Sequence, residues 1–88
     1  MLTPVEIDYW TSHVRGPSAA KTVAYAHAQA MAWVDSHAGH MLPSIQHGIV
    51  RNYFRFVIET DGGERRLLMD AIDALLQMGE AIHANSNA

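Results

Sequence analysis

Cysteine is absent from these 88 residues. That removes disulfide staples and thiolate metal sites together, and it makes the cytoplasm the expected setting. Apolar runs are short as well. None approaches the ~18 residues of a membrane span, so no membrane partner is expected. Met1–Trp10 lacks both the basic start and the apolar core of a signal peptide. Basic charge is scarce: six Lys and Arg stand against nine Asp and Glu, for a net charge of −3. A balance this mild marks neither a strong nucleic-acid binder nor an acidic mimic. Gly-rich phosphate loops, serine elbows and cysteine nucleophiles are missing, so neither enzymatic activity nor a cofactor is expected.

What is present is a 49% apolar chain of single-domain size. A chain this short buries only about 60–65% of the surface that its unfolded form exposes, which makes self-association a natural source of stability.

Four helical segments separate at the breakers. Thr3-Pro4-Val5-Glu6 forms a capping box with proline at the first helical position. Ile7, Trp10 and Val14 follow on one face, up to Gly16-Pro17. Ser18 opens an alanine-rich second segment, with Ala19, Val23, Ala26, Ala30 and Val34 on its apolar face and Gly39 as its stop. Met31 and Trp33 flank that face. Asp61 and Glu64 form the box of a last helix. Its stripe is Leu67, Leu68, Ala71, Ile72, Leu75, Leu76, Gly79 and Ile82, and Arg66, Asp70, Asp73, Gln77 and Glu80 lie opposite. Gly79 inside that stripe predicts close backbone approach, because glycine costs about 1 kcal/mol relative to alanine there.

The third segment, Ile49–Thr60, is ambiguous. Eight of its twelve residues are β-branched or aromatic, which favours a strand. Yet they alternate poorly. A helix started by Ser44 after Pro43 would gather Ile45, Ile49, Tyr53, Phe56 and Val57 on one side, opposite His47, Arg51, Arg55 and Glu59. A strand would also need an identical strand from another copy, since no second one exists in the chain. The expected fold is therefore mostly α: a small antiparallel bundle of about four helices, one domain over residues 1–84 with a frayed tail at 85–88. The last helix is expected to supply the core against the first two. A strand at 49–60 pairing across a homodimer is the alternative, and a homodimer is expected in either case.

Four of the six basic residues, Arg51, Arg55, Arg65 and Arg66, fall within residues 51–66. Beside the first two, Phe54 and Ile58 interrupt the polar side of the helix. Aromatic residues beside arginine are the composition of an interface anchor. The expected function is a non-enzymatic protein–protein interaction module: an adaptor, inhibitor or accessory regulator, of a size common in bacterial, phage and mobile-element proteins. It would work by sterically occupying another protein's surface. Arg51, Tyr53, Phe54, Arg55 and Ile58 are its candidate contacts, with Trp10 and Trp33 as outlying anchors.

The alternative is a helix-turn-helix-like DNA-binding regulator reading bases with His47, Arg51, Asn52 and Arg55, helped by Arg65 and Arg66. Against it stand the net charge and a connection from Ser36 to Ser44 longer than the usual turn. Among the six histidines, His37, His40 and His47 are the metal candidates by residue type. Their spacing matches no ligand template, so no metal is expected.

Overall fold

Thr3 starts the first helix by the reciprocal box that its sequence predicts. Its hydroxyl accepts from the Glu6 N–H at 3.2 Å, and Glu6 Oε1 accepts from the Thr3 N–H at 3.0 Å. The computed structural model describes residues 1–86. In it α1 spans Pro4–His13, α2 Ala19–His37, α3 Pro43–Ile58 and α4 Gly62–Ser86. α1 ends three residues before Gly16, whose φ of 107° carries the turn that a side chain would strain. Ser18 occupies the cap position of α2, but its side chain caps nothing. The start of α3 is set by Pro43 behind Leu42 rather than by Ser44. α4 continues through Ser86, beyond the expected 84; residues 87 and 88 of the expected frayed tail lie outside the described residues.

No strand occurs among the described residues, so a strand at 49–60 is ruled out in favour of α3. The reason is tertiary. The β-branched and aromatic residues of α3 face neighbours on several sides, a demand that a helix meets without a second strand.

α3 is the hub. α2 and α4 both pack along it, α1 packs on α2, and the α2 and α4 backbones do not approach each other closely among the described residues. α4 runs antiparallel to α3: Gly79 near its end sits against Met41 and Ile45, while Arg65 near its start reaches the Phe56 and Glu59 carbonyls. Gln46 Nε2 donates to the carbonyls of Ala38, Gly39 and Met41 at 3.0–3.1 Å, which ties the start of α3 to the turn after α2. Gln46 and Arg65 thus close the carbonyl ends of α2 and α3, which a helix leaves unsatisfied.

The α2 core face is the one expected: Val23, Ala26, Ala30 and Val34 are buried. Two other expectations fail. Phe54, placed by its spacing on the polar side of α3, is completely buried, because α1 lies over that side with Trp10 against it. Leu67, expected in the core, is 62% exposed, because it lies on a flank of α4 that no other helix covers. Leu68 and Ile72 are buried there, while Leu75, Leu76 and Ile82 are half-buried. Ile72 joins Val23 and Ala30 in one core cluster, against which Trp10, Leu75, Leu76 and Ile82 pack.

The molecule is more open than a compact chain of its size. The Cα radius of gyration is 13.8 Å, against about 12 Å for a compact chain of this length. The accessible surface is 5700 Å², against about 5100 Å² for a folded monomer of this mass. No helix among the described residues is long and apolar enough to cross a membrane.

Candidate protein-interaction site

α1 and α3 lie side by side without close backbone contact, so side chains make the joint between them. Glu6 is its pivot. Its Oε2 meets Arg51 Nε at 2.8 Å and its Oε1 meets His47 Nε2 at 3.1 Å, in addition to capping α1. Burial pushes the Glu6 carboxyl up, but hydrogen bonds from Thr3 and His47 and the charge of Arg51 outweigh it and hold the group below the usual carboxylate range. One turn further on, the Trp10 ring lies 5.8 Å from Phe54, and the Arg55 guanidinium stands 5.9 Å from the Trp10 ring centre. Tyr9 meets Trp10 edge-on at 5.1 Å and stacks on His13 at 3.9 Å.

Two open clefts meet at Arg55. The first, about 330 Å³, has apolar walls from Leu2, Val5, Tyr9 and Trp10, with Arg51 and Arg55 on its rim. The second, about 530 Å³, lies beyond Trp10 between Val14 and Ile58, with Arg15 and Thr22 on its edge. Arg51 is charge-paired to Glu6, whereas Arg55 has no carboxylate within 4.0 Å among the described residues.

The residues expected to form one partner surface divide three ways. Arg51, Arg55, Trp10 and Ile58 come together at these clefts. Tyr53 and Trp33 stack on each other at 5.2 Å, on the opposite side of α3, and Trp33 also stacks on His37 at 4.3 Å. Phe54 lies in the core and offers a partner nothing. Glu6 emerges as a residue that the sequence marks only as half of a capping box. Its partners lie 41 and 45 positions away, a distance over which no local pattern signals contact.

Of the nucleic-acid set, Arg51, Asn52 and Arg55 line one shallow cleft with Gly48, while Arg65 and Arg66 lie apart from them. Asn52 Nδ2 donates to the Gly48 carbonyl at 2.8 Å, and His47 is held by Glu6. Arg65 closes the end of α3 with its guanidinium 3.9 Å over the Phe56 ring, while Arg66 is exposed on α4. The histidines also have separate partners. His37 Nδ1 lies 2.9 Å from the Trp33 carbonyl and 2.9 Å from Ser36 Oγ, and His40 Nε2 lies 2.7 Å from Glu80 Oε1. No group of three or more His, Asp or Glu among the described residues can hold a metal ion. No polar side chain among them is buried either, so a desolvated acid or base is missing from the interior.

No family model, curated protein or solved structure matches the chain.

Proposed function

We propose that the chain is a small non-enzymatic interaction module that binds another protein across the α1–α3 clefts and acts by covering that protein's surface. The observation that carries this reading is Arg55: exposed, without a carboxylate within 4.0 Å among the described residues, and held against Trp10 where an apolar-walled cleft meets a second, more polar one. Arginine and tryptophan dominate interface energetics because each combines large contact area with directed polar or cationic contact. Val5, 78% exposed, and Tyr9 extend the apolar wall. The occupant is a protein segment with an apolar side chain for the Trp10 wall and carboxylates for Arg55 and Arg15. Such a segment complements a basic rim on a chain whose net charge is −3.

The test is capture of the partner by tagged protein from its host's lysate, with and without nuclease, using the native chain, Arg55→Glu and Lys21→Glu. A stoichiometric protein that survives nuclease, is lost with Arg55→Glu and is kept with Lys21→Glu is the expected result. Retention by Arg55→Glu moves the site elsewhere. Recovery that collapses with nuclease, and weakens by orders of magnitude between about 50 and 200 mM salt, makes the basic rim a phosphate-binding face instead.

A further inference from the structure

The outer flank of α4 has no counterpart within the chain. Leu67 is 62% exposed and Met78 51%, one near each end of an apolar line. Ala71 and Ala74 lie between them at helical spacing, so the four residues form a seam roughly 16 Å long. Neither the α1 nor the α2 backbone comes close to α4 among the described residues. The chain exposes roughly 600 Å² more than a compact monomer of its mass. That excess is near the ~800 Å² which each partner of a stable interface contributes.

We infer that this seam pairs with the same seam of a second copy, antiparallel about a two-fold axis passing near residues 72–73. The pattern of side chains identifies the occupant, because the seam reads large, small, small, large in both directions. Turned end over end, Leu67 meets Met78 of the second copy and Ala71 meets its Ala74. The alanines let the two backbones approach at the centre, and the large side chains close the ends.

Charge does not oppose the same register. Asp70 falls beside Gln77 of the second copy rather than beside a carboxylate, and Arg66, Asp73 and Glu80 lie roughly a third of a turn or more from the seam. The surface is thus complementary to its own reverse in size.

Sedimentation equilibrium of the full chain over a concentration series tests this. The mass is expected to rise toward twice 9.7 kDa, and Leu67→Glu/Met78→Glu is expected to stay at the single-chain mass with unchanged helical circular dichroism. A native chain of single mass throughout overturns the inference, and so does a double variant that still dimerises. Should the double variant lose its helicity, cross-linking decides. The chain has no cysteine, so mixed Ala71→Cys and Ala74→Cys variants report only the introduced thiols. Oxidation should join the two variants to each other in preference to either with itself. Absence of that preference rejects the antiparallel seam.

Discussion

The rings of Trp10 and Phe54 lie 5.8 Å apart and tilted by 60°, the aromatic contact through which α1 covers α3. Phe54 is fully buried while its neighbour Arg55 stays exposed, so two adjacent residues divide the work of core and surface. Phe54→Ala should therefore cost about 3–5 kcal/mol of stability, the range for deleting a buried aromatic side chain. Arg55→Ala should change it by less than about 0.5 kcal/mol, as an exposed substitution does. Urea unfolding of the two variants, followed by circular dichroism, measures the contrast.

Gly79 meets α3 where a side chain has no room. A Cβ there would collide with Met41 and lie 3.1 Å from Ile45 Cγ2, and Met41 itself is only 5% exposed. Gly79→Ala is expected to destabilise by about 1–3 kcal/mol, because overpacking outweighs the gain in helix propensity of about 1 kcal/mol. Gly62→Ala is the control. It meets nothing within 4 Å, and it should be neutral or stabilising by up to about 1 kcal/mol. Thermal melts that rank Gly79→Ala above the native protein would show that α3 and α4 do not approach so closely.

Glu6 holds Arg51, His47 and the start of α1 together. Its loss should cost more than the loss of either partner. Glu6→Ala is expected to cost about 1–2 kcal/mol, since it removes the capping-box acceptor and leaves Arg51 and His47 without their partner. Arg51→Ala, on an arginine whose side chain is 60% exposed, should cost less than about 1 kcal/mol. A double-mutant cycle read by chemical unfolding separates the two; equal costs would place the energy in the ion pair alone.

His27 gives stability a pH dependence of known sign. Its Nε2 accepts the Leu2 N–H at 3.0 Å, which only the neutral ring can do. Burial, and then the positive charge of the amino terminus, lower its pKa below 6.5. In the window between the lowered value and 6.5 the unfolded chain binds the extra proton, so the contribution of His27 is complete above that window and is lost as pH falls through it. Glu6, also depressed, adds a second loss below its ordinary 4.5. His27→Gln keeps an acceptor for Leu2 but does not titrate. Subtracting its stability curve from the native one isolates His27 from the other five histidines. A flat difference across the acid range would deny the ring this role.

Much of the local structure was legible in the residues. Thr3 and Glu6 announce α1, Asp61 accepts from Glu64 N–H at 2.9 Å as its spacing predicts, and the Val23–Val34 face of α2 is buried. Each depends on contacts within a turn or two, which a pattern in one segment contains. The candidate site was legible only in part. Arg51, Arg55, Trp10 and Ile58 were found by composition, but Tyr53 and Trp33 belong to the other side of α3, and Phe54 to the interior.

The sequence by itself determined α1, α2 and α4, the caps at Thr3 and Asp61, and which residues share a face, because helical period and end chemistry are local. Only the tertiary structure decided how many neighbours each face receives. A helical projection of α3 sets Phe54 beside arginines and so marks it as exposed; docking α1 on that side through Glu6 and Trp10 buries it. The same projection of α4 marks Leu67 as core, and the lack of a helix over that flank leaves it in water. Burial follows from which elements meet, and that is settled by contacts between residues some forty positions apart, such as Glu6 with His47.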